Sequence, residues 1–211
     1  MRFAEVVDRL EAIPDPLPPP SPALTPVIVG DGERPRFPLE DLSARPAAVL
    51  VLLYPDATGD ARVVLTERVT RDGHHSGEVS FPGGRAEADD IDLAATALRE
   101  AAEEVALDAA TAGVRVIGEL ERFWIPVSNY SVTPVLALAE RRPALTPSPD
   151  EVARILEPRL ARFLPDAPVV VVERTVRGWP LRFGTYEVDG ATVWGATARI
   201  LSQLGAVLGS R

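Results

Sequence analysis

The sequence predicts an α+β fold, a mixed β-sheet sandwiched between helices. Three observations point that way. Apolar runs of strand length recur along the chain, bounded by glycine, proline or aspartate. Segments with helical apolar spacing are interleaved with those runs rather than gathered at one end. The 211 residues, 46% hydrophobic and 25% charged, suit one domain with a sizeable core and an added arm.

Residues 3–13 read as an amphipathic helix, with Phe3, Val6, Val7, Leu10 and Ile13 at helical spacing and Pro14 ending it. Seven of residues 13–26 are proline, which predicts an extended, polyproline-like arm, either packed on the surface or a plain tether. The chain thus divides into residues 1–45, an N-terminal helix and Pro-rich arm, and residues 46–211, the main domain. Residues 47–54 form the first strand, Asp56, Thr58, Gly59 and Asp60 a turn, and residues 61–69 a second strand. Residues 77–81 are extended and close on Pro82-Gly83-Gly84. A helix is predicted over 93–105, with Asp92 as its N-cap. Strands are expected near 114–120 and 131–138, a loop over 143–149, and strand or helix over 151–164. Residues 169–176 and 185–193 read as strands, and 196–208 as a closing helix.

A net charge of -9 with no basic stripe excludes nucleic acid as an expected partner, because such a chain repels phosphate backbones. With no cysteine there is no disulfide, thiolate metal site or thiol nucleophile, and a reducing compartment fits. Charges interrupt the first ten residues, and the longest apolar run, 47–54, is too short to cross a bilayer. The expectation is a cytoplasmic protein with no membrane partner. A homodimer is possible on this reading, since nothing in the sequence fixes the oligomeric state.

The chemistry gathers on the helix over 93–105. Leu93, Ala97, Leu98, Ala101 and Val105 form an apolar stripe, and Glu100, Glu103 and Glu104 share the neighbouring arc. Carboxylates three and four residues apart repel one another. Glu104 also borders the buried stripe, where an unpaired carboxylate is costly. A bound Mg²⁺ or Mn²⁺ relieves both problems, being a hard cation that prefers carboxylate oxygens. A solvated helix face is the alternative reading of the same glutamates. Arg99 is a partner for an acid; its guanidinium is too basic to serve as a general base.

Phe81-Pro82-Gly83-Gly84 precedes this helix across an acidic loop, and paired glycines permit close backbone approach. On these residues the chain resembles the Nudix hydrolases, whose box reads G-x5-E-x7-R-E-U-x-E-E-x-G-U with U aliphatic. Gly84, Arg99, Glu100, Glu103, Glu104 and Leu107 match. The gap from Gly84 to Arg99 is one residue longer than the box. Ile91 stands where the first box glutamate would be, leaving Asp90 or Asp92 as its stand-in, and Ala106 replaces the late glycine. The resemblance implies a Nudix-like α+β fold and a Mg²⁺ or Mn²⁺ cofactor held by Glu100, Glu103 and Glu104. It also implies catalysis by these glutamates with Arg99, on a small-molecule diphosphate substrate.

Leu65-Thr66-Glu67-Arg68 and Gly77-Glu78-Val79-Ser80-Phe81-Pro82-Gly83-Gly84 are similar to the signature of the coenzyme A pyrophosphatase branch, L-L-T-x-R-(S/A)-x3-R-x3-G-x3-F-P-G-G. Tyr130-Ser131-Val132-Thr133-Pro134, Asp150-Glu151-Val152 and Val193-Trp194-Gly195-Ala196-Thr197-Ala198 resemble further stretches of that branch. The likeness spans residues 46–205 and leaves the Pro-rich arm outside it. Val69 stands at the signature's small residue and Gly73 at its second arginine, with Arg71 two positions away. The branch implies hydrolysis of coenzyme A or its thioesters to 3′,5′-ADP and (acyl-)4′-phosphopantetheine, with Arg68, Gly83 and Gly84 binding substrate. The alternatives are a diphosphatase for ADP-ribose or dinucleotides, and a non-catalytic nucleotide-binding domain of the same fold. The general base is one of the helix glutamates or Glu151. His74 and His75 read as turn residues or as a metal or phosphate contact, and Trp194 as core packing or an adenine platform.

Overall fold

The computed structural model describes residues 1–29, 43–69, 77–126, 128–176 and 178–210. The helices are α1 (Phe3–Leu10), α2 (Leu93–Val105), α3 (Ala109–Ala112) and α4 (Gly195–Gly209). The strands up to the first long helix are β1 (Val27–Ile28), β2 (Arg45–Pro55), β3 (Ala61–Val63), β4 (Leu65–Arg68), β5 (Val79–Ser80) and β6 (Gly83–Arg85). Beyond it lie β7 (Val114–Glu119), β8 (Phe123–Ile125), β9 (Tyr130–Ala139), β10 (Val152–Leu156), β11 (Val170–Val176), β12 (Trp179–Val188) and β13 (Ala191–Val193).

β2 lies in the middle of the largest sheet. It runs parallel to β9, from Arg45 opposite Tyr130 to Leu53 opposite Leu138. It pairs antiparallel with β3 and β6, while β7 and β8 pair antiparallel with β9. This is the predicted mixed sheet. Successive strand side chains point to opposite faces. Ala48, Leu50, Leu52 and Tyr54 of β2 pack with Ala97, Ala101 and Val105 of α2. Val51 and Leu53 join a second cluster with Leu201, Leu204 and Leu208 of α4 and Val6 and Leu10 of α1. One strand therefore feeds both cores, which is why it reads as an unbroken apolar run.

Two smaller sheets complete the fold, β10-β4-β5 and β1-β12-β11 with β13 on β12. The strand expected over 61–69 breaks at Val64: β3 stays with β2, and β4 turns to β10 and β5. The segment left between strand and helix holds both, β10 followed by a 3₁₀ turn at Leu160–Phe163. The strand expected over 185–193 is the end of a hairpin. The chain reverses at Asp189-Gly190, with φ of 47° and 83°, and Tyr186 pairs with Val193. Two successive left-handed residues suit the twist of a tight hairpin, and Asp-Gly is a strong sequence signal for one.

The first helix stops at Leu10, short of Ile13. The proline-rich arm that follows is packed and does not hang as a tether. Leu24 is buried, the Ser21 N–H donates to Ser202 Oγ at 2.8 Å, and β1 pairs with β12. Among the described residues no helix is long and apolar enough to cross a membrane.

Candidate active site

α2 spans the predicted residues, and Asp92 caps it: its Oδ1 accepts from the Ala95 N–H at 2.7 Å. The helix ends on Ala106 in the left-handed conformation, φ 53° and ψ 36°. Glycine adopts this geometry without the clash a Cβ brings, so the alanine at the late box position carries a small strain.

Pro82-Gly83-Gly84 does more than close a strand. Gly83–Arg85 is itself β6, with Gly84 opposite Ala48 and Gly83 opposite Val49 on β2. This brings a side-chain-free ribbon under α2. A Cβ on Gly84 would lie 2.4 Å from Glu100 Oε1, and one on Gly83 would lie 2.4 Å from the Ala48 carbonyl oxygen. At Gly83 the β2 backbone itself occupies the Cβ volume, so glycine is needed there, whereas a Cβ at Gly84 would displace the end of the Glu100 side chain.

Arg99 organises the acids. Its Nε and Nη2 donate to the two oxygens of Asp90 at 3.0 and 3.1 Å, a fork-to-fork pair. Nη2 also reaches the Arg85 carbonyl at 3.0 Å, and Nη1 donates to Glu100 Oε1 at 3.0 Å. The Arg99 bond, with the Glu87 N–H and the Thr96 hydroxyl, holds the Asp90 carboxyl well below the usual carboxylate range. Asp90 thus takes the role of an acid facing this arginine, while Asp92 is occupied with the helix cap.

Glu104 is 3% exposed, and its Oε2 has no hydrogen-bond partner. It pairs with Arg68, whose Nη1 lies 3.8 Å from Oε1. Burial pushes the Glu104 carboxyl up to about 7; Arg68 opposes the shift, Glu151 and Glu100 add to it, and the Gly83 N–H opposes it slightly. Burial also raises the Glu100 carboxyl, with Arg99 opposing. Both glutamates open on a cavity of about 760 Å³, which Arg68, Gly83, Gly84 and Glu151 also line.

Most of the sequence-predicted residues therefore meet at one place. Glu103 does not. It is a turned-out surface residue, its side chain 59% exposed and its carboxylate 3.4 Å from Arg99 Nη1. Among the described residues no three acidic or histidine side chains stand close enough to enclose a cation as placed. The helical wheel puts all three glutamates on one arc, but that arc straddles the edge of the core, so Glu104 turns in and Glu103 out. Arg99 lies behind Glu100 rather than on the cavity. Arg71, Gly73, His74 and His75 lie outside the described residues. The Trp194 ring sits 5.2 Å from that of Phe183, and the residue also lines the cavity. Sequence reasoning missed Phe123 and Trp124 of β8, which also line it. Their only signal was a short aromatic run in an unassigned segment.

Fold and site together define an α+β domain in which an acid-bearing helix and a glycine ribbon border a sizeable cavity. A family model for the NUDIX domain matches residues 44–163, and the chain belongs to the Nudix family. Nudix hydrolase 22, chloroplastic, of Arabidopsis thaliana is 39% identical over 171 residues, 78% of this chain and 56% of that protein. An uncharacterized Nudix hydrolase NudL of Citrobacter koseri is 35% identical over 178 residues, 84% of this chain and 90% of that protein. The chain spans little more than half the length of its plant relatives, 56% and 58%. The crystal structure of a MutT/nudix family protein from Enterococcus faecalis shares the fold, with a TM-score of 0.50 and 16% identity over 79% of this chain and 62% of that one.

Proposed function

We propose that the chain is a divalent-metal-dependent hydrolase of a nucleoside diphosphate-linked small molecule, with coenzyme A or its thioesters as substrate. The products are 3′,5′-ADP and (acyl-)4′-phosphopantetheine. The observation that carries the metal-dependent chemistry is Glu104, a buried carboxylate whose Oε2 lacks a partner beside a large cavity. An all-oxygen donor set of this kind fits Mg²⁺ or Mn²⁺. Glu100 and Glu104 would hold the ion, and Glu103 would complete the set by turning away from Arg99. When bound, the ion supplies charge neutralisation at the diphosphate and acidifies a water.

The chain's own residues do the rest. Arg68 offers planar donors to a phosphate oxygen. Arg99, braced by Asp90, fixes Glu100. Gly84 keeps space for that carboxylate. Water attacks one phosphorus, the bridging P–O bond breaks, and Glu151 on the cavity, or a helix glutamate not holding the ion, takes the water's proton. The choice of coenzyme A rests on the signature around Arg68 and Phe81 and on the matches near Tyr130 and Trp194. The replacement of the signature arginine by Gly73 favours a second reading, an ADP-ribose or dinucleotide diphosphatase.

The test is a panel of coenzyme A, acetyl-coenzyme A, ADP-ribose, NADH and diadenosine polyphosphates with Mg²⁺ or Mn²⁺, products resolved by chromatography. Preferred cleavage of coenzyme compounds to 3′,5′-ADP is expected. Preference for another diphosphate overturns the substrate assignment and leaves the metal chemistry. Nucleotide binding without cleavage overturns both in favour of a non-catalytic domain.

A further inference from the structure

The cavity draws its lining from two parts of the chain. Arg68, Glu100, Glu104 and the Gly83-Gly84 ribbon give it a charged, phosphate-handling side, all from within the region the family model matches. Pro20, Leu24 and Pro26 of the arm add apolar lining from outside that region, alongside Trp194 and Ile200 near the start of α4 and Phe123, Trp124 and Val132 inside the region; Arg199 of α4 also lines the cavity, its charge paired with Glu121 at 2.9 Å. The other arm residues on the cavity, Ser21 and Thr25, add hydroxyls and no charge.

The arm is anchored along its length. Besides the Ser21 bond to Ser202, Gln203 Nε2 donates to the Pro18 carbonyl at 3.3 Å and to Glu121 Oε2 at 3.3 Å. Gln203 Oε1 accepts from the Glu121 N–H at 3.1 Å. One α4 residue thus ties the arm to the segment between β7 and β8. At the arm's far end the Val29 N–H donates to the Pro180 carbonyl at 2.9 Å. Prolines remove backbone freedom between the anchors. A rigid, uncharged arm costs little to order when an apolar group docks on it.

We infer that the Pro-rich arm is a specificity wall of the site, seating an uncharged chain attached to the diphosphate and favouring a fatty acyl thioester over a short one. The inference rests on the proposed diphosphate reading for the charged side of the cavity. Each methylene seated against the wall strengthens binding by roughly four-fold.

The experiment compares KM for acetyl-coenzyme A and dodecanoyl-coenzyme A, which share the diphosphate and differ in the tail. The wild-type KM for dodecanoyl-coenzyme A is expected at least ten-fold below that for acetyl-coenzyme A. Thr25→Trp, at an exposed arm position on the cavity, is expected to collapse the ratio to within two-fold. Thr25→Asp is the second variant, used if circular dichroism shows the first misfolded. A wild-type ratio near one, or a ratio that both folded variants preserve, overturns the inference. If neither thioester is cut, the proposed substrate fails, and calorimetry with S-dodecanoyl-pantetheine, which carries no phosphate, decides the arm separately. Saturable binding that Thr25→Trp weakens at least ten-fold upholds the wall; no binding to the wild type overturns it.

Discussion

Glu104 shows how one residue can be costly alone and useful with a ligand. Its carboxyl titrates near 7 in the folded chain against 4.5 for the free side chain. Below pH 4.5 it is protonated in both states and contributes nothing to stability. As pH rises past 4.5 the unfolded chain ionises first, and above pH 7 the folded chain carries a penalty of about 3 kcal/mol. With a chelator present, this group should make the protein less stable at pH 8 than at pH 5. Glu104→Gln should remove that slope, raise the thermal midpoint at pH 8 in chelator, and cut hydrolysis at least 100-fold. Thermal unfolding and turnover of the two proteins check both halves. A lower midpoint for the variant at pH 8 would contradict the burial penalty. Ala106 gives a simpler case. Ala106→Gly relieves a left-handed alanine, offset by the greater freedom of glycine when unfolded, for a net gain of up to about 1 kcal/mol. The thermal midpoint should rise by about 2–4 °C.

At the scale of elements, the site depends on how β6 and α2 approach each other. β6 is pinned to β2, and α2 packs its alanines on the same strand, so the space between ribbon and helix is set by the core. Glu100 fills the volume a side chain at Gly84 would occupy. Gly84→Ala should therefore push the Glu100 carboxylate aside and lower kcat/KM at least ten-fold with little change in circular dichroism. Unchanged kcat/KM in a folded variant would mean that Glu100 has room to spare. The far end of α2 is closed by the loop predicted over 143–149. Thr146 and Ser148 donate their N–H groups to the carbonyls of Val105 and Glu104 at 2.9 and 2.8 Å. These bonds satisfy carbonyls that a helix end leaves open, and they seat Glu104 against the core.

At the scale of the whole molecule, the legible parts were those fixed by local rules. β2, β9 and α2 followed from apolar runs, helical period and an N-cap. The approach of Arg68, Glu100, Glu104 and the glycine pair was legible because they lie on a motif with fixed spacing. What stayed hidden depends on packing between distant segments. No period in residues 13–26 says that an arm will line a cavity formed largely by later segments, because Ser202 and Gln203 that hold it lie far along the chain. The outward turn of Glu103 was hidden for the same reason, since the edge of the core is set by the sheet rather than the helix. Glu100 and Glu104 face the cavity, with Arg99 bonded to Glu100 and Glu103, and the acids of this site repel one another until a cation joins them. A divalent ion that binds only the folded state stabilises the molecule by mass action, and protons compete for the same carboxylates. Saturating Mn²⁺ should therefore raise the thermal midpoint, by more at pH 8 than at pH 5.5, because Glu104 must be ionised to act as a ligand. Glu104→Gln should abolish most of the rise. A rise that is equal at both pH values, or that survives in Glu104→Gln, would place the ion away from this carboxylate.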